Sequence, residues 1–224
     1  MDIKRKQVTC VEEIEPWLNQ VEEKLRGLNP DPSLVLNIDE TPVYYIPSNA
    51  AVFIPEESAT IPIVTTPPRQ KAYTVTLAIA LSGRSYPSQL IIPAATVPSE
   101  FQQYPTQSIF LSCTENGYQK KETFAAYILN TIIPAIEEQR LKLPPERQNA
   151  VIFLDQHTSR MNADLLTMCR SKHIELISII PHGSHILQPL DRGVNAVLKR
   201  KFSMNFDLLT TKFAIVHPLS HSHL

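Results

Sequence analysis

The order of its apolar patterns constrains this chain more than any single motif does. Runs with strand character come first and together: Leu34–Asp39 (LVLNID), Ala72–Leu81 (AYTVTLAIAL) and Ser85–Pro93 (SYPSQLIIP). Ser82 and Gly83 make the turn of an antiparallel hairpin between the last two, and Ile109–Ser112 reads as a short extra strand. A helix over Glu122–Arg140 follows, with Phe124, Ile128, Ile132 and Ile136 at four-residue steps, and Pro134 is expected to kink its last turns. The pattern then alternates: strand Val151–Asp155, helix Ser159–Lys172, strand Ile174–Ile180, helix Leu190–Phe206. Three early strands and then β-α-β-α predict an α/β domain with a mixed sheet flanked by helices.

Two flanking regions differ in character. Residues 11–28 place Ile14, Trp17, Leu18, Val21 and Leu25 at helical spacing among acids, and Gly27 with the NPDP turn should end that amphipathic helix. Residues 41–70 are rich in Pro, Thr and Ser and hold at most short strand pieces, VYYI and AVFI. The expected division is an N-terminal helix and linker over 1–33, one folded domain over 34–206, and a frayed tail over 207–224.

Composition narrows the function classes. With 21 Lys+Arg against 22 Asp+Glu the formal net charge is −1, so any polyanion-binding surface must be local. Lys199, Arg200 and Lys201 supply one basic cluster, which serves equally as a phosphate-neutralising patch or as a solvated helix face. Only 5 glycines occur against 19 prolines, and neither GxGxxG nor GxxxxGK[ST] is present. Cys10, Cys113 and Cys169 form neither a disulfide framework nor a CxxC pair. No apolar run is long enough to span a bilayer and no signal-type hydrophobic region follows the start, so the expectation is a soluble intracellular protein.

Three acids stand where the pattern changes. Asp39 ends one apolar run, Asp155 ends another, and Asp191 opens a helix. A carboxylate at the end of a buried strand is costly unless it is paired, hydrogen-bonded or bound to a cation. Strand alternation sets Asp39 on the face of Val35 and Asn37, and Asp155 on that of Val151 and Phe153. Asp191 shares a helical face with Val194, Asn195 and Leu198, which aims it along a buried seam toward the sheet. Each acid also suits a humbler role, Asp39 and Asp155 as turn residues and Asp191 as a helix cap. If the strand at 151 lies beside strand one, Asp39 and Asp155 meet, and like charges at that range await a cation. Hard oxygen donors favour Mg²⁺ or Mn²⁺ over Zn²⁺, and two such ions suit in-line phosphoryl displacement.

At this point NIDET, FLDQHTSR and IIPHGSHILQPLDRGV followed by Lys199, with LSGRSYPSQLIIP and NGYQKKETFAAYILNTIIPAIEEQR between them, resemble the catalytic domain of pogo-type (Tigger and jerky-like) DDE transposases of the mariner superfamily. The similarity covers roughly residues 34–202, LQPLD is its most specific piece, and 35 residues separate Asp155 from Asp191. The resemblance implies an RNase H-like fold. It further implies Asp39, Asp155 and Asp191 as catalytic triad and metal ligands, and two Mg²⁺ (or Mn²⁺) ions for cleaving and joining DNA. Implied partners are double-stranded DNA, as transposon ends and target, with a homodimer as one assembly to expect and the nucleus as location.

The chain departs from the family pattern in two places. Ser159–Arg160 stands where Ser-His is usual, and the first 33 residues are too short for the usual helix-turn-helix domains. The expectation is therefore a fragment, a degenerate or domesticated copy that binds without cleaving, or a core dependent on a separate DNA-binding domain or subunit. Of the remaining polar residues, His157, His182 and His185 read as loop residues near a cleft rather than zinc ligands. Gln188 is placed to brace the loop that delivers Asp191, and Trp17 to anchor the N-terminal helix.

Overall fold

The structure, a computed structural model, describes residues 11–44, 72–102, 108–155, 163–180 and 183–216. Helix α1 (Val11–Leu28) comes first, and strands β1 (Val35–Tyr44), β2 (Ala72–Ala80) and β3 (Ser88–Pro93) follow. After them come a short helix α2 (Ser99–Gln102) and strand β4 (Ile109–Thr114). Helix α3 (Lys121–Tyr127) continues through a π-helical turn (Ile128–Ile132) into α4 (Ile133–Arg140). The alternating half is β5 (Ala150–Leu154), α5 (Ala163–Ser171), β6 (Ile174–Ser178), α6 (Ser184–Leu187), a second π-turn (Leu190–Val194) and α7 (Asn195–Val216).

The six strands form one mixed sheet in the order β4-β3-β2-β1-β5-β6. β2 runs antiparallel to both β1 and β3, while β4 lies parallel to β3, and β5 and β6 continue parallel from β1. The hairpin, the mixed sheet and the alternating half are as expected; β4 is a full edge strand, longer than the piece foreseen.

Strand alternation divides the two faces. Leu36, Ile38, Ala78, Ala80, Ile152 and Leu154 enter a core with Phe124, Ile128, Ile132 and Ile136, the four-residue stripe, and with Leu165 and Cys169 of α5. On the opposite face α1 lies across β5 and β6. There the indole N–H of Trp17 donates to Ser178 O at 3.0 Å, and its ring meets Phe153 edge-on at 6.4 Å. Trp17 is an anchor, as its position suggested. Leu18, also assigned to the buried stripe, is 47% exposed.

α1 ends at Leu28 as expected: it passes through Gly27, and Asn29, the first residue of the NPDP turn, makes the left-handed stop at φ 47. Elsewhere the elements differ from expectation. Pro134 stands in the first turn of α4, directly after the π-turn, so its missing N–H falls where the two helical forms join. α7 runs to Val216, so a helix replaces the first half of the frayed tail. Most consequentially, β1 does not stop at Asp39. It continues through Glu40, Thr41 and Pro42 to Tyr44, paired with β2 all the way to Ala72. The AVFI piece, the start of the Ser159–Lys172 helix, and residues 217–224 lie outside the described residues.

Candidate metal-dependent nuclease site

The pairing of β1 with β5 ends at Ile38 opposite Leu154. Asp155 follows Leu154 directly, one residue past the paired register, while Asp39 follows Ile38 within β1. Asp39 lies on the face of Asn37, which lines one cavity with Phe153 and Trp17. β1 goes on while its neighbour stops, so the acids stand at a notch in the sheet. That is where parallel α/β sheets offer room for ligands.

The third acid arrives by way of the chain after β6. Gly183 directly precedes the short α6, in a place where a Cβ would sit 2.6 Å from Ile180 Cγ1, so glycine lets the backbone close up there. The π-turn that follows docks on the sheet through one hydrogen bond, Leu190 N–H donating to Asn37 Oδ1 at 3.3 Å. Asn37 also donates from Nδ2 to Phe153 O at 3.4 Å, so a single amide ties β1 both to β5 and to the segment carrying Asp191. Gln188 is fully buried, yet neither its Oε1 nor its Nε2 finds a partner among the described residues. Asn37 therefore does the bracing expected of Gln188.

Asn195 joins the acids. Its Nδ2 donates to Asp191 Oδ1 at 3.1 Å and to Asp39 Oδ2 at 3.3 Å, which makes the two carboxylates face one another across one nitrogen. Asn195 is 5% exposed and Asp39 6%, whereas Asp191 is exposed. The expected buried seam is thus occupied by Asn195 rather than by the Asp191 carboxylate, and Val194 is 37% exposed. The π-turn explains the shift, since a wider turn rotates side chains away from the angles an α-helix would give them.

The structure therefore brings Asp39 and Asp191 together through Asn195, while Asp155 follows the end of β5. Among the described residues, no three His, Cys, Asp or Glu side chains stand close enough to hold one metal ion. His157, His182, Ser159 and Arg160 lie outside the described residues, as does the side chain of His185.

A sequence-family model described as DDE superfamily endonuclease matches residues 70–212. The chain belongs to that family. The match contains Asp155, Asp191 and Asn195, while Asp39 lies ahead of it. The chain's fold is that of the Mos1 mariner transposase. Against a pre-cleavage Mos1 transpososome the TM-score is 0.57 at 13% identity over 95% of this chain, and against a Mos1 paired-end complex with Mn it is 0.56 at 11% over 95%. These matches span 55% and 54% of the Mos1 chains. The RNase H-like architecture and the DDE transposase resemblance are both borne out.

A curated relative, the MFS-type transporter clz9 of Cochliobolus lunatus, is 32% identical over 71 residues, which are 32% of this chain and 7% of that protein. Among the described residues of the DDE domain no helix is long and apolar enough to cross a membrane. What sequence reasoning missed at the site is the work of Asn37 and Asn195. The signals were present: Asn37 shares the face of Asp39, and Asn195 stands four residues after Asp191.

Proposed function

We propose that this domain is the core of a transposase-type DNA endonuclease and strand transferase, with Asp39, Asp155 and Asp191 as its catalytic, metal-holding acids. The observation that carries the reading is the bridging of Asp39 and Asp191 by Asn195 at the notch where β5 stops and Asp155 follows it. The donor set suits the ions: carboxylate oxygens without sulfur favour Mg²⁺ or Mn²⁺. Asp39 would belong to both cation positions, sharing one with Asp155 and the other with Asp191. Two bound ions supply polarisation of the scissile phosphate and of the attacking and leaving oxygens. Asn37 holds the Asp191 segment against the sheet, and the buried surroundings of Asp39 limit water on that side.

Double-stranded DNA, both transposon ends and target, is the substrate on this reading. A separate DNA-binding domain or subunit supplies sequence choice, a homodimer is the assembly, and the nucleus is the place of action. Lys199, Arg200 and Lys201 are exposed on α7, the helix that carries Asn195, and supply local positive charge to a chain of net charge −1.

A second reading is a domesticated derivative that binds DNA or protein without cutting. The lack of a three-acid cluster among the described residues favours it. Nicking of supercoiled plasmid by the purified chain in Mn²⁺, with a chelator control, separates the two. The enzyme reading expects nicked circles that disappear with each of Asp39→Asn, Asp155→Asn and Asp191→Asn while the circular dichroism spectrum is kept. Nicking that survives Asp155→Asn removes the assignment, and a wild-type chain without metal-dependent nicking supports the second reading.

A further inference from the structure

We infer that Asn195 is a cation ligand in its own right, through an amide that turns over. Its N–H₂ faces Asp39 and Asp191 in the structure, and its Oδ1 takes that place when a divalent cation binds. This rests on the reading of Asp39 and Asp191 as metal-holding acids and adds a residue to it.

Both hydrogens of the Asn195 amide are accounted for, one on each carboxylate, so the nitrogen does there what a cation would do: it screens two like charges. The other end of the same amide is not accounted for. Oδ1 of Asn195 is buried and has no hydrogen-bond partner among the described residues. Native proteins seldom leave such an oxygen without a donor, and an ordinary Asp–Asn pair one turn apart on a helix would need neither the burial nor the reach to Asp39.

Rotation by half a turn about the Cβ–Cγ bond exchanges the oxygen and nitrogen at almost no steric cost. The oxygen would then occupy the position now held by Nδ2, 3.1 Å from Asp191 Oδ1 and 3.3 Å from Asp39 Oδ2. Adjacent oxygens around an octahedral Mg²⁺, with ligands at about 2.1 Å, stand about 3.0 Å apart. The spacing already present is that of neighbouring ligands on one ion. An amide carbonyl and two carboxylates are also a donor set that hard cations take.

The test is a Mn²⁺ titration of the whole chain, free ion being read by electron paramagnetic resonance, for wild type, Asn195→Leu and Asn195→Asp. Circular dichroism and thermal midpoints are measured with and without metal. Asn195→Leu should bind Mn²⁺ about 10-fold or more weakly than wild type, the order seen when residues supporting a metal site are removed. Asn195→Asp should bind at least as tightly as wild type, melt earlier without metal because three carboxylates then crowd together, and gain more from Mn²⁺ than wild type does. A Leu variant that titrates like the wild type overturns the inference, and so does an Asp variant that loses Mn²⁺. If Asn195→Leu does not fold, Asn195→Asp decides alone by the same criteria. A wild-type chain that binds no Mn²⁺ overturns this inference and the two-ion reading together, whereas wild-type binding untouched by Asn195 substitutions overturns only this one.

Discussion

Asn37 holds two strands and a turn with one side chain. Its carbonyl oxygen receives Leu190 N–H and its amide nitrogen reaches Phe153 O, both at the long end of hydrogen-bond range. Asn37→Leu keeps the volume but strands a buried N–H, which costs about 1–3 kcal/mol, with the lower half expected from such long bonds. Urea unfolding should show a lower midpoint with an unchanged slope; a midpoint equal to that of the wild type would show that Leu190 docks by other means. A second residue-scale effect depends on pH. Asp31 Oδ1 accepts both Ser33 N–H at 2.9 Å and Ser33 O–H at 2.7 Å. These bonds, led by the backbone one, hold the Asp31 carboxyl below its ordinary value against the opposing effect of burial, with Arg147 helping. A carboxyl depressed in the folded state stabilises at pH above its unfolded value of about 3.9, and that contribution is lost as pH falls through the folded value. Asp31→Ala should therefore be less stable than wild type at neutral pH, with the gap closing below about pH 4. A gap that stays constant across an acid titration of urea stability would remove Asp31 as its source.

Among the elements, the helix of Phe124, Ile128, Ile132 and Ile136 was legible for a reason the structure makes plain. A four-residue step overshoots an α-turn and undershoots a π-turn, so alternating the two keeps all four residues on one line, each at most 1% exposed. The spacing thus carried the buried face even though it could not show the π-turn. β1 was not legible to its end because Glu40, Thr41 and Pro42 read as a turn. Leu81 N–H donates to Val35 O, which makes the odd-numbered residues of β1 the ones bonded to β2. Pro42 therefore turns its nitrogen to the side where β5 has already stopped, and its missing donor costs no ladder bond. Helix α4 is tied to the second half of the sheet by Arg140, which is 8% exposed. It donates to Gln148 O at 2.7 Å, His173 O at 3.0 Å and Glu137 Oε1 at 2.9 Å. Arg140→Met retains much of the stem but takes the donor from Gln148 O, while His173 O keeps Ala150 N–H at 3.0 Å, and should cost about 1–3 kcal/mol in chemical denaturation. A destabilisation well under 1 kcal/mol would mean that water replaces the guanidinium freely.

At the scale of the molecule, one sheet separates two tasks: its Leu36/Ile38 face is sealed by α3, α4 and α5, and its Asn37/Asp39 face carries the acids. Period-two alternation was enough to put Asp39 on that face, because a strand leaves a side chain no third option, whereas Asp155 falls one residue past the end of β5. The Asp39–Asn195–Asp191 bridge was out of reach, since it depends on a π-turn and on where the chain after β6 lands. The same helix that delivers Asn195 continues with Lys199 one turn on, then Arg200 and Lys201, all three exposed. With 21 basic and 22 acidic residues, the molecule as a whole does not attract DNA, so a nucleic-acid surface must be built from clusters such as this. Lys199→Ala, Arg200→Ala and Lys201→Ala together should weaken binding of labelled duplex DNA in fluorescence anisotropy. They should also flatten the plot of log affinity against log salt by about 0.9 for each phosphate that is no longer neutralised. Because the three side chains are exposed, folding stability should stay within about 0.5 kcal/mol of wild type. Of the three, Lys199 stands in line with Asp191 and Asn195 along the helix, so its single substitution should take the largest share of the slope. An unchanged slope in the triple variant would remove these three cations from the proposed DNA-binding surface.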